Sequence, residues 1–192
     1  IRCEDCMHRK FLPVTDLVIR NHLQGIDPQD SVGRNFTIGV YPMLPDETCW
    51  FLAADFDKVS WQQDVQAFLE TCSLFNIPAV IERSRSGNGG HVWIFFAEPV
   101  PAAAARQMGT FLLSQTMERR PELGLDSYDR FFPSQDTLPK GGFGNLIALP
   151  LQKKPRENGN SVFVNEQFVP YEDQWAFLAT LCRMTQADVQ AV

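Results

Sequence analysis

From Ala79 to Phe96 the chain is apolar and β-compatible at both ends and breaks in the middle into Ser84-Arg85-Ser86-Gly87-Asn88-Gly89-Gly90. Two strands joined by so short a connection lie beside one another as a hairpin, whereas parallel neighbours need a crossover of a dozen or more residues. The same placement separates this glycine loop from a Walker A loop and from a dinucleotide fingerprint, because both of those lead from a strand into a helix. Strands and helices elsewhere interleave without a regular βαβ rhythm. The expectation is an α+β fold with a mostly antiparallel sheet.

Along the chain, Pro13 and the caps offered by Thr15 or Asp16 predict a helix within residues 11–24, faced by Leu17, Val18, Ile19, His22 and Leu23. Phe36 to Tyr41 and Cys49 to Phe56 read as strands around a turn at Pro42, Pro45 and Asp46. Trp61, Val65, Phe68, Leu69 and Cys72 recur at helical spacing after Ser60, which predicts a helix to about Phe75. Ala79 to Arg83 and His91 to Phe96 are the hairpin strands. Pro99 and Pro101 open an Ala-rich helix through about Met117, with Ala105, Met108, Leu112 and Gln115 near one face and Gly109 suited to close packing. Residues 121–144 read as irregular chain, Asn145 to Leu149 as a strand, Gln152 to Asn160 as a basic polar loop, Val162 to Val164 as a strand, and the end from about Glu172 as a helix. The expected organisation is an N-terminal segment at 1–30, a core at 31–170 and a C-terminal helix at 171–192.

Chemistry concentrates at three places. In Phe51-Leu-Ala-Ala-Asp55-Phe56-Asp57 an apolar strand ends in two aspartates one residue apart, and the period of two puts both carboxylates on one face. Unneutralised, such neighbours raise one another's pKa, which a shared hard cation relieves through oxygen ligands; a solvated strand end is the plainer alternative. The hairpin loop offers glycines that let backbone N–H groups approach an anion, the Ser86 hydroxyl, and the guanidinium forks of Arg83 and Arg85. Gly87 and Asn88 belong to the same candidate phosphate loop, and His91 follows at the start of a strand, able to hydrogen-bond a triphosphate oxygen. A tight hairpin with an internally bonded histidine would explain the same residues. Further on, Asp126, Asp129 and Asp136 are candidates for a third metal-binding acid, Asp136 first because it stands closest to the glycine turn Gly141-Gly142-Phe143-Gly144. Lys140, Lys153, Lys154 and Arg156 flank the next strand and are candidates for triphosphate or template backbone.

A net charge of −6 does not suit a nucleic-acid binder, whose affinity comes from Lys and Arg on phosphates, so local charge has to decide. Carboxylates gathered for divalent ions make a site acidic until it is loaded. No apolar run is long enough to span a bilayer, so no membrane is expected and the cytoplasm is the default location. The chain starts at Ile1 within a cysteine-rich stretch and reads as a piece of something longer. Five cysteines argue against a disulfide framework. Cys3 and Cys6 have the spacing of half a zinc site, with His8 nearby, while Cys49, Cys72 and Cys182 are expected in the core.

Taken in order, CWFLAADFDK, ERSRSGNGGHVWIFF and SYDRFFPSQDTLPKGGFGNLIALPLQ resemble the archaeo-eukaryotic primase superfamily, in particular the primase domain of TOTE conflict systems and CRISPR-associated primase-polymerases. The resemblance implies an RRM-like catalytic sheet joined to a smaller α/β module, and template-directed nucleotidyl transfer with Mg²⁺ or Mn²⁺. It implies Asp55 and Asp57 as first-motif metal ligands, His91 as the second-motif residue on the nucleotide phosphates, and Asp136 as the third acid. In the superfamily's Ser-x-His motif Gly89 stands where the serine would be, and Ser86-Gly87 is instead similar to the Ser-Gly of bacterial end-joining ligase polymerase domains. The resemblance also implies nucleoside triphosphates and single-stranded or primed DNA as partners, a fused or associated helicase or nuclease, and a zinc element of which Cys3 and Cys6 are the remnant. The rival readings are a metal-dependent nuclease using Asp55 and Glu82, and a non-catalytic nucleotide- or single-strand-binding module.

Overall fold

The computed structural model describes residues 13–27, 35–140 and 142–192. Cys3, Cys6 and His8, and with them the zinc expectation, lie outside the described residues. Helix α1 (Asp16–Gln24) starts where Thr15 Oγ accepts from Val18 N at 3.3 Å and stops at Gly25, whose φ of 66° is the left-handed conformation that glycine adopts without strain. Then follow β1 (Gly39–Val40), β2 (Thr48–Asp57), α2 (Trp61–Leu74), β3 (Ala79–Arg83), β4 (Gly89–Pro101), α3 (Ala102–Arg119), β5 (Tyr128–Phe132), β6 (Ile147–Ala148), α4 (Lys153–Glu157), β7 (Val162–Val164), α5 (Gln174–Ala179) and α6 (Gln186–Ala191).

A five-stranded sheet of order β5-β2-β4-β3-β7 is antiparallel throughout, and β1 pairs with β6 in a separate two-stranded sheet. The α+β expectation therefore holds. Period two divides the large sheet into two chemistries. Leu52, Ala54 and Phe56 of β2, Val92 and Ile94 of β4 and Ile81 of β3 face α2 and α3, where Val65, Phe68, Cys72, Ala105, Met108 and Leu112 complete the main core. The opposite face buries Ala53, Trp93, Phe132 and Phe163, with Ile147 of the small sheet laid over them. Gly109 lets α3 settle onto the sheet, since a Cβ there would stand 2.7 Å from the Phe131 ring and 2.8 Å from Leu52.

Several expectations are corrected. The stretch 121–144, read as irregular, contains β5; its Asp129 and Arg130 are exposed on an edge strand and leave no alternating pattern to read. The strand expected at Phe36 to Tyr41 is only Gly39–Val40, and the one expected at Asn145 to Leu149 is only Ile147–Ala148. Gln152 to Asn160 contains the short helix α4. The single C-terminal helix is two, each with its own cap: Asp173 Oδ1 accepts from Trp175 N and Ala176 N, and Thr185 forms a capping box with Asp188. Between them Met184 bridges to Phe96 of β4, which requires extended chain. Cys182 is exposed rather than buried, whereas Cys49 and Cys72 are in the core and burial pushes both thiols up to about 12.

Candidate active site

The register of β2 against its neighbours decides what the two aspartates meet. Asp55 stands opposite His91 of β4 and Arg130 of β5, and Asp57 stands opposite Gly89. Glu82 of β3 stands opposite His91 on its other side. Partners directly across a ladder share a face, so Glu82, His91 and Asp55 form a row over three strands, on the face away from α2 and α3. His91 Nδ1 donates to Glu82 Oε2 at 2.8 Å, which turns Nε2 toward Asp55 Oδ1 at 3.5 Å. Trp93 Nε1 donates to the same Glu82 oxygen at 3.1 Å, and the Ser161 hydroxyl donates to the other at 3.4 Å.

Glu82 is only 2% exposed, and sequence reasoning gave it a part only in the nuclease alternative and missed it as the anchor of His91. The available signal was a lone carboxylate in the apolar strand Ala79-Val80-Ile81, at the residue facing the histidine across a hairpin. Burial on its own lowers the His91 pKa, but the hydrogen bond to Glu82 and the charges of Glu82 and Asp55 outweigh it and raise the value. The Asp55 carboxyl is raised chiefly by burial, with Asp129 and Asp57 adding to the shift against His91 and Arg130.

The hairpin loop is built differently from a phosphate nest. Gly87 N donates to Ser84 O at 3.0 Å and Asn88 N donates to Ser86 Oγ at 3.2 Å, so these groups serve the turn itself. Gly87 adopts a φ of 80° with the Asn160 amide packed 2.7 Å from where a Cβ would be. What the loop presents outward are the exposed side chains of Arg85, Ser86 and Asn88. Gly89 has a steric reason: a Cβ there would lie 2.6 Å from Phe56 O, so a serine at this position would push β4 off the strand carrying the aspartates.

Not every candidate is brought to the carboxylates. Arg83 projects to the other face, where its guanidinium donates to Gly159 O at 3.1 Å and to Phe168 O. Lys153 lies beside Gly25 at the end of α1, its Nζ 3.1 Å from Glu157. Among the later acids, Asp126 is exposed and lends its backbone oxygen to Lys58 Nζ at 2.7 Å. Asp136 is exposed and ion-paired with Arg106 of α3 at 2.8 Å. Asp129 lies in a β-bulge between the Asp55–Arg130 and Phe56–Tyr128 pairs, where it acts electrostatically on Asp55 and bonds Arg130 at 2.6 Å.

Among the described residues no group of three His, Cys, Asp or Glu closes into a ready ligand set. The donor chemistry nevertheless fits a hard cation: Asp55 and Asp57 share a face, Asp129 is near enough to disturb Asp55, and the resulting repulsion is of the kind a divalent ion relieves.

Over residues 1–192 the chain matches the family described as the TOTE conflict system, archaeo-eukaryotic primase domain, and it belongs to that family. No curated protein matches it. Membership makes a primase-like, nucleotidyltransferase-type enzyme its class, and domains of this class generally use divalent metals. No helix among the described residues is long and apolar enough to cross a membrane.

Proposed function

We infer that this chain is a template-directed nucleotidyltransferase, a DNA primase-polymerase core that joins nucleoside triphosphates through phosphodiester bonds as a module of a mobile-element or defence protein. The observation that carries the reading is the row on one sheet face in which His91, anchored by Glu82, stands 3.5 Å from Asp55 while Asp57 extends along the same strand. Asp55 and Asp57 would hold Mg²⁺ or Mn²⁺, and Asp129 is a better third acid than Asp136, because it sits in the strand beside Asp55 rather than in an ion pair with α3. Bound there, such cations lower the pKa of an attacking 3′-hydroxyl and neutralise the triphosphate and the leaving pyrophosphate.

The protein's own groups then bind and orient. Glu82 fixes the imidazole so that Nε2 faces the carboxylates, where a phosphate oxygen would receive its proton in a hydrogen bond. Arg85 and Asn88, exposed at the hairpin tip, would meet the rest of the triphosphate, and single-stranded or primed DNA would supply the template. The nuclease alternative would need Glu82 as a metal ligand, yet that carboxylate accepts from His91, Trp93 and Ser161.

The decisive assay supplies labelled nucleotides, Mn²⁺ and either a primed or an unprimed single strand to the purified protein, beside an Asp55→Ala/Asp57→Ala variant. Extension that disappears in the variant supports the reading, and products on the unprimed strand make it a primase. Cleavage of a labelled strand without incorporation would overturn it in favour of the nuclease.

A further inference from the structure

The short strand carrying Asp129 does not run straight past β2. Phe131 and Phe132 stand opposite Ala54 and Ala53, one on each face of the sheet, and Arg130 stands opposite Asp55, but Phe56 pairs with Tyr128, so Asp129 is the extra residue of a bulge. Closing that bulge would set Asp129 opposite Phe56, on the core face and away from Asp55. Something outside the strand has to hold it open.

That anchor is a buried acid on the first turn of α2. Asp64 is 1% exposed, and its Oδ2 accepts from Ser127 N at 3.1 Å, from the Ser127 hydroxyl in a short bond, and from Ser60 Oγ at 3.1 Å. Ser127 is itself fully buried, and its carbonyl accepts from Asp57 N at 2.8 Å. One residue therefore connects α2, the end of β2 beside Asp57, and the start of β5. Lys58 Nζ ties the preceding carbonyl, Asp126 O, from the same side. A carboxylate at the N-terminal turn of a helix is stabilised there by the helix dipole, which makes it a rigid anchor.

We propose that Asp64, acting through Ser127, is a positioning residue that holds the β5 bulge, so that Asp129 stands beside Arg130 next to Asp55 and joins the carboxylate set around Asp55 and Asp57. This rests on the reading of Asp129 as the third acid.

The test measures Mn²⁺ affinity of the whole chain by the electron paramagnetic resonance signal of free Mn²⁺, and protection of backbone amides by hydrogen exchange well below the melting temperature. Asp64→Asn should weaken Mn²⁺ binding about tenfold, the lower end of what outer-shell partners of metal ligands contribute. Asp129→Asn should weaken it at least as much, and the double variant should be no weaker than Asp129→Asn alone, because both changes remove one contribution. Ser127→Ala, a milder change that keeps Asp64, should weaken binding by less, and Ser127→Thr should retain it. Exchange in Asp64→Asn should speed up at the β5–β2 amides while the β2–β4 ladder stays protected.

Additive losses in the double variant, or a lowered melting temperature with unchanged Mn²⁺ affinity, would leave Asp64 a stability residue and overturn the proposal. If Asp129→Asn leaves affinity intact, the third-acid reading fails, and the bulge claim is then decided by exchange alone: unchanged protection at Tyr128 to Phe132 in Asp64→Asn sinks it too.

Discussion

Two histidines of this protein have partners at both ring nitrogens, and what they touch moves their pKa values in opposite directions. His22, fully buried, donates from Nε2 to Pro150 O at 2.9 Å and accepts at Nδ1 from Ile38 N at 3.1 Å. One donor and one acceptor suit a neutral ring, and burial lowers its pKa, with Arg156 adding to the shift. His91 instead lies between two carboxylates, which favour a ring carrying both protons and raise its pKa in spite of burial. The first imidazole staples α1 to the segments around β1 and β6; the second presents an N–H at a candidate active site. Burial alone does not say which role a histidine has, but the chemistry of its two partners does.

The comparison breaks most readily at His91. Replacing it with alanine should cut the rate of nucleotide incorporation per folded molecule by roughly 10²–10³-fold, the usual loss for a positioned donor; a normal rate in a steady-state extension assay would remove His91 from the mechanism. His22→Ala should cost stability without costing rate. It leaves Ile38 N and Pro150 O without their partner, at about 1–3 kcal/mol for each unsatisfied buried group, and denaturant titration should show that loss while activity per folded molecule persists.

Glu82→Gln sharpens the contrast by removing one of the charges that raise the His91 pKa. The ring's pKa, followed by NMR, should move down, and the rate should fall about tenfold, because a hydrogen bond to a charged group contributes around 1.5–3 kcal/mol. An unmoved His91 titration would mean that Asp55 alone sets its charge.

The smallest effect is on stability against pH, where the two rings pull in opposite directions. The folded His22 pKa lies below the ordinary imidazole value of about 6.5, so its contribution is complete above that pH and is lost as the pH falls toward the folded value. The folded His91 pKa lies above 6.5, so its contribution is complete below that pH and is lost as the pH rises through the folded value. His22→Gln should therefore flatten the acid side of the stability curve by up to about 1.4 kcal/mol per pH unit and leave the neutral side unchanged. An acid side as steep as in the parent protein would show that His22 is already charged in the fold.

Much of this molecule is local enough to be read from the order of its residues. The α2 helix followed from Trp61, Val65, Phe68 and Cys72; the β3–β4 hairpin from its glycine loop; the shared face of Asp55 and Asp57 from strand period alone. These depend on neighbours within a turn or a strand, where spacing fixes direction. What only the tertiary structure decided depends on partners far away in the chain. Register across β4 set Asp55 opposite His91 and turned Glu82 into its anchor, Arg83 pointed away because its neighbour pointed in, and a bulge on an edge strand with a buried residue on each face moved attention from Asp136 to Asp129. A sequence carries the alternation of a strand, but which residue stands across from it is a property of the sheet.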